Sequence, residues 1–196
     1  MPRTYDEIAP HYDAAIRPFE RWFLARLRAS TFQHIPPDGR ILEIGAGTGL
    51  NFVYYPDNAT GVATEPSREM LRIAAEKNRP LGLRLLQSCA ESLPFQTGSF
   101  DAAFATLVFC SVESPTRALA ELRRVVRPGG TIVLLDHVRP GGLLGPIFDL
   151  LNLITVPLFD DHFNRRTADA ASAAGLELLH VEKRLLGIIN LIACRV

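Results

Sequence analysis

The stretch Glu43-Ile44-Gly45-Ala46-Gly47-Thr48-Gly49 follows directly on a short apolar run and carries the clearest chemistry in the chain. Glycines at alternate positions let backbone N–H groups approach a ligand closely where a strand of an open α/β sheet ends. Their spacing discriminates between ligands. A dinucleotide fingerprint, GxGxxG, needs glycine at position 50, and Leu50 stands there. Glu43, inside the strand end, would serve a pyrophosphate badly and a cationic ammonium group well. A second apolar run, TGVATEP, ends on Glu65, where a carboxylate is placed to accept hydrogen bonds from both hydroxyls of an adenosine ribose. Together these features point to an adenosine-containing ligand without a pyrophosphate. The alternatives are a purely structural turn at the glycines and a solvated glutamate at 65.

The surrounding elements must hold those groups in place. Residues 18–31 carry Phe19, Trp22, Phe23 and Leu27 at helical spacing, with Glu20, Arg21, Arg26 and Arg28 mostly on the opposite side, which predicts an amphipathic helix. Strand patterns then alternate with helix patterns. The run SREMLRIAAEKNRP reads as a helix with Ser67 as N-cap and Met70, Leu71 and Ala74 facing inward. LRLLQSCAESLPF, SFDAAFATLVF and TIVLLDHV read as the third, fourth and fifth strands, with the helix SPTRALAELRRVVRPGG between the last two. This rhythm predicts a parallel sheet with right-handed crossovers. The tail differs: TADAASAAG reads as a helix closed by Gly175, and LELLHVEKRL and IINLIACRV as an antiparallel hairpin. The expected fold is a Rossmann-like, doubly wound α/β sheet, mostly parallel, in a single domain over 1–196. That domain has an N-terminal cap (1–35) and an apolar insertion (139–166).

Composition narrows the function further. The 196 residues hold 21 basic and 21 acidic side chains, so the basic excess expected of a phosphate-backbone binder is missing and no nucleic-acid partner is expected. Cys89, Cys110 and Cys194 have no metal-ligand spacing; each lies in an apolar run, predicting buried free thiols and a reducing, cytoplasmic location. The opening MPRTYDEIAPHYD lacks the apolar core of a signal peptide. Residues 143–159, LLGPIFDLLNLITVPLF, are very apolar but interrupted by Pro146, Asp149, Asn152 and Pro157, and shorter than a spanning helix requires. Leu144, Ile147, Leu150, Leu151 and Ile154 share a helical face there. A core stripe is the commoner origin of such a face; a lid over a lipophilic acceptor and an interfacial helix in peripheral contact with a membrane are the functional readings.

Five motifs in order, YDEIAPHYD, LEIGAGTG, GVATEPSREML, CAESLPFQTGSFDAAFA and ELRRVVRPGG with TIVLLDHV, resemble the class I S-adenosylmethionine-dependent methyltransferases of the small-molecule branch. The resemblance implies S-adenosyl-L-methionine as cofactor and a sheet order of 3-2-1-4-5-7-6. It implies that Gly45, Gly47 and Gly49 pass beneath the methionine part, that Glu43 reaches its ammonium group and that Glu65 holds the ribose. Pro66 and Met70 would pack near the adenine, Ala90 and Glu91 would sit at its edge, and Thr106 and Leu107 would line the sulfonium side. Cys89 departs from the aspartate common before the Ala-Glu pair. LVFCSVESPTRALAELRRVVRPGGTIVLLDHV and LFDDHFNRRT are also similar to thiol methyltransferases of the microsomal methyltransferase-like family and to soluble bacterial phosphatidylethanolamine N-methyltransferases.

The implied reaction is an in-line displacement at a sulfonium, which asks the protein for alignment, exclusion of water and, for some acceptors, removal of a proton. A thiolate needs little more than alignment; an amine or phenol benefits from a base. His137, at the end of the fifth strand, and Asp161, beside Asp160 and His162 in the insertion, are the base candidates. Tyr5, with His11 and Tyr12, is placed to close over the cofactor. The expected acceptor is a lipophilic small molecule: a thiol, an amine headgroup or a quinone-like phenol. The rival readings are a non-catalytic cofactor-binding module and a nicotinamide-dependent oxidoreductase, the latter disfavoured by Leu50 and by the lack of a Tyr-x-x-x-Lys pair. No metal site is expected.

Overall fold

The computed structural model describes residues 2–142, 144–159, 162 and 164–196. Its strands are β1 (Arg40–Ile44), β2 (Thr60–Glu65), β3 (Gly82–Gln87), β4 (Phe100–Thr106), β5 (Val126–His137), β6 (Glu177–Arg184) and β7 (Ile189–Arg195). They form one sheet in the order β3-β2-β1-β4-β5-β7-β6, the order the resemblance implies. Neighbours from β3 to β5 pair in parallel, and β7 runs antiparallel to both β5 and β6. Central strands buried on both faces explain the unbroken apolar runs in the sequence. Successive residues of β1 alternate between two cores: Leu42 and Ile44 pack with Leu119, Leu122 and Leu134, while Ile41 packs on the other face with Phe104, Tyr55 and Leu27. Glu43 follows Ile41 in that alternation, a point that matters at the site.

The helices are α1 (Pro2–Phe19), α2 (Ala25–Phe32), α3 (Arg68–Ala75), α4 (Pro115–Val125), α5 (Leu144–Phe159) and α6 (Thr167–Ala173). The predicted N-cap is present, Ser67 Oγ accepting from Met70 N at 3.1 Å, and Ser114 Oγ caps α4 by accepting from Arg117 N at 3.4 Å. Met70 and Ala74 are buried, as read from the sequence, whereas Leu71 is only half-buried. Gly175, at φ +80°, closes α6.

Three expectations need correction. The N-terminal helix is longer and differently phased than its apolar pattern predicts, because a π-helical turn, Glu20–Leu24, joins α1 to α2. The wider turn re-phases the side chains beyond it. Trp22 is left 80% exposed, Leu24 and Leu27 are buried, and Arg28, assigned to the polar side, is only 4% exposed. Cys89 is exposed whereas Cys110 and Cys194 are buried, because Cys89 falls just past β3 in a loop rather than within the strand. Finally, α5 is no core stripe. Ile147, Leu150 and Leu153 are more than half exposed, while Asn152 turns inward. Arg139 holds the helix through Asp149 at 2.7 Å. Among the described residues no helix is long and apolar enough to cross a membrane.

Candidate active site

At the carboxyl ends of β1, β2 and β4 lies a cavity partly open to solvent, where ligands of open α/β sheets bind. Gly45, Ala46 and Gly47 line it from the loop after β1, Glu65, Pro66 and Met70 from beyond β2, and Ser88 and Ala90 from beyond β3. Thr106 and Leu107 close the β4 side, followed by Val108, Ser111 and Val112; Tyr5 and Tyr12 reach in from α1 and Arg28 from α2. Leu107 sits at φ +59°, a left-handed conformation that costs a leucine energy and that clusters at functional sites. Its N–H donates to Leu135 O at 2.6 Å, which holds it there.

Glu65 is the pivot of the loop. One carboxylate oxygen accepts from Gly47 N at 2.8 Å and the other from Ser67 N at 2.9 Å, so a single side chain joins the glycine loop to the start of α3. Burial pushes its carboxyl above the usual carboxylate range, against the pull of those two N–H bonds. Gly47 itself, at φ +55°, has nothing within 4 Å of where a Cβ would stand, so its bare face opens onto the cavity. Gly49, at φ +82°, is different: a Cβ there would meet the Phe52 ring at 2.5 Å, which makes it a packing glycine.

Helix α1 lies across this loop, held by two aspartates. Asp6 Oδ1 accepts from Ser67 Oγ at 2.6 Å and from Glu69 N at 3.1 Å, and the Ser67 bond above all lowers its pKa. Asp13 accepts from Thr48 Oγ1 at 2.5 Å and from Lys77 Nζ at 2.6 Å. Both belong to YDEIAPHYD, where the tyrosines drew the functional reading. The signal that was available is their seven-residue spacing, two helical turns on one face. Opposite, the end of the insertion is pinned to the loop after β4. His162 N donates to Cys110 O at 2.9 Å, and the Arg165 guanidinium donates to Phe109 O and to Val112 O, the latter at 2.7 Å.

The cavity therefore gathers Gly45, Gly47, Glu65, Pro66, Met70, Ala90, Thr106, Leu107 and Tyr5. It does not gather every predicted residue. Gly49 stands behind the loop, and Glu91 accepts from Ser114 N at 3.2 Å instead of facing the cavity. His137, paired with Ile189 across β5 and β7, is not among the lining residues. Asp161 lies outside the described residues. Glu43 is fully buried beneath the cavity, accepting from Asn51 Nδ2 at 2.7 Å and Tyr55 OH at 2.9 Å. Arg28 and Asn51, which carry no motif, belong to the same polar group.

Residues 42–134 match a family described as a methyltransferase domain. Over 139 residues the chain is 33% identical to a phosphatidylethanolamine N-methyltransferase of Cereibacter sphaeroides, covering 64% of this chain and 68% of that protein. The chain belongs to the S-adenosylmethionine-dependent methyltransferases. A thiol S-methyltransferase of Homo sapiens is 38% identical over 103 residues, 50% of this chain but only 42% of that longer protein. Among solved structures, a S-adenosylmethionine-dependent methyltransferase of Thermotoga maritima has a TM-score of 0.71 at 25% identity, covering 100% of this chain and 99% of its own.

The residues present fit the cofactor of this methyltransferase. Glu65 offers acceptor oxygens at the tip of β2, the glycine loop offers an open face at Gly47, and Thr106 stands two strands over, roughly 10 Å away at the spacing of parallel strands. Gly47→Ala is expected to fold with a penalty of about 1–2 kcal/mol for the left-handed backbone while losing at least about tenfold in S-adenosylhomocysteine affinity, because the new methyl enters the cavity. A thermal melt and calorimetry on the one variant check both halves.

Proposed function

We propose that this methyltransferase acts on a lipophilic small molecule, a thiol ahead of an amine headgroup or a quinone-like phenol. The observation that carries this reading is the make-up of the cavity wall. Its described titratable side chains are Tyr5, Tyr12, Arg28 and Glu65. Glu65 is committed to two backbone N–H groups, and burial pushes the Tyr12 phenol up to about 12, so neither is a ready base near neutral pH. An acceptor that ionises unaided suits such a wall, and a thiol does so with a pKa near 8.5. Ile44, Leu50, Leu107, Val108 and Val112 supply an apolar lining.

S-adenosyl-L-methionine, when bound, supplies an electrophilic methyl group on a sulfonium. The chain's own contribution is to align, to exclude water through α1 and the insertion, and to hold the acceptor against the β4 tip. For an amine or phenol the proton acceptor would be His162, whose backbone N–H is tied to Cys110 O beside the cavity-lining Ser111. The exposed Ile147, Leu150 and Leu153 of α5 support peripheral contact with a membrane as the route of a lipophilic acceptor, within a cytoplasmic setting. The deciding experiment incubates the protein with S-adenosylmethionine and panels of alkyl thiols, phospholipids and hydroquinones, and reads the mass gain of one methylation. Methylated thiols are expected first. Methylation of phospholipids or hydroquinones alone would reverse the order, and no product with any acceptor would favour a binding module without turnover.

A further inference from the structure

Beneath the cavity floor a chain of buried polar side chains runs between elements far apart in sequence. Glu20 accepts from Arg28 Nε at 3.0 and 3.1 Å, and Arg28 Nη1 donates to Asn51 Oδ1 at 3.0 Å and to Thr106 Oγ1 at 2.8 Å. Asn51 Nδ2 donates to Glu43 Oε1 at 2.7 Å and shares Thr106 Oγ1 at 2.8 Å. The second Glu43 oxygen accepts from Tyr55 OH. Arg28 and Thr106 line the cavity and Glu43 and Asn51 do not. The face alternation of β1 explains why: Glu43 follows Ile41 toward Tyr55, away from the loop.

We propose that Glu43 is a positioning residue: its buried carboxylate orients the Asn51 amide, and Asn51 in turn fixes the Arg28 guanidinium and the Thr106 hydroxyl at the cavity wall under β4. An asparagine amide can face either way, and its direction decides what it offers Arg28. With Nδ2 committed to Glu43, Oδ1 must point at the guanidinium, which is the orientation observed. Glu20 grips the far side of the same guanidinium, so Arg28 keeps one pose with its Nη2 edge unengaged by the hydrogen bonds to Glu20, Asn51 and Thr106. The π-helical turn at Glu20–Leu24 brings Arg28 inward in the first place. Thr106 stands two strands from Glu65, so the circuit serves the end of the ligand remote from the ribose-binding carboxylate. This rests on the cofactor assignment, and the test separates the two.

Calorimetry with S-adenosylhomocysteine and with 5′-methylthioadenosine, which lacks the amino-acid end, runs on Glu43→Leu, which removes both acceptor oxygens, on Asn51→Ala and on the double variant. Each single change is expected to weaken S-adenosylhomocysteine about tenfold, and the double variant about as much as Asn51→Ala alone, because Glu43 acts through Asn51. Methylthioadenosine binding should stay within about twofold of the parent. Losses that add in the double variant would mean that Glu43 meets the ligand independently and would overturn the proposal. Equal weakening of methylthioadenosine would also overturn it, by showing a general loss of structure. Failure of the parent chain to bind either nucleoside would instead sink the cofactor assignment. If Asn51→Ala does not fold, Glu43→Leu with Arg28→Lys runs the same cycle with the same two readings.

Discussion

Glu65→Ala is expected to lower S-adenosylhomocysteine affinity by about a hundredfold. The ligand loses acceptor oxygens for its ribose, and hydrogen bonds to a charged group contribute about 1.5–3 kcal/mol each, so two of them correspond to two or more powers of ten. The damage extends beyond the missing ligand contact. Gly47 N and Ser67 N both lose their partner, so the glycine loop is no longer tied to the start of α3. Leaving those N–H groups without an acceptor costs about 1–3 kcal/mol of stability each where water cannot reach them. Glu65→Gln keeps one acceptor oxygen and should fall between the parent and the alanine variant. Calorimetry and urea denaturation on the pair give both effects. An alanine variant that binds within threefold of the parent would remove Glu65 from the site.

The second large effect is on stability against pH, and it originates at Glu43. Burial raises this carboxyl from 4.5 to about 7, opposed by hydrogen bonds from Asn51 and Tyr55 and by the Arg28 cation, and assisted by the charge on Glu65. The folded state therefore holds a proton that the unfolded chain has released between about pH 4.5 and pH 7. Where the native state binds more protons, stability falls as pH rises, so this group weakens the fold across that window and contributes a constant penalty above it. Glutamine carries no such charge. The stability of Glu43→Gln relative to the parent should climb between pH 4.5 and pH 7 by about 3 kcal/mol, at 1.36 kcal/mol per pH unit, and then level off. Urea unfolding at pH 5 and pH 8 tests the sign. A difference that stays flat between them would place the titration elsewhere. Combined with the weaker ligand binding expected of Glu43→Leu, the result would be a trade of stability for an organised site, as is common where charges are buried for function.

What could be read in advance was local. The cap at Ser67, the closing Gly175, the strand runs and the terminal hairpin each depend on a few neighbouring residues whose conformational preferences act over one or two turns. Gly45 and Gly47 with Glu65 were legible for the same reason, since a strand end followed by glycines leaves few conformations open. The errors were also local in origin. Trp22 was placed inward and Arg28 outward because a uniform 3.6-residue period was carried through a turn that is π-helical. The spacing of Ile147 and Leu150 leaves core and interfacial faces both open, because spacing reports a face and not what covers it.

By itself the sequence determined that this chain is a doubly wound methyltransferase with a glycine loop and a carboxylate, Glu65, at the tip of the second strand. Strand patterning and crossover handedness specify a parallel α/β sheet with a terminal hairpin, and the resemblance of the five motifs implied the strand order and the cofactor. Only the tertiary structure decided what surrounds that loop. Arg28 and Thr106 lie 78 positions apart and Arg28 and Asn51 lie 23 apart, yet all three share hydrogen bonds. Such partnerships depend on the phase of one helix and on which face of β1 each residue takes. A displacement of one residue in either would send Arg28 to solvent, or Glu43 away from Asn51, while leaving every motif intact.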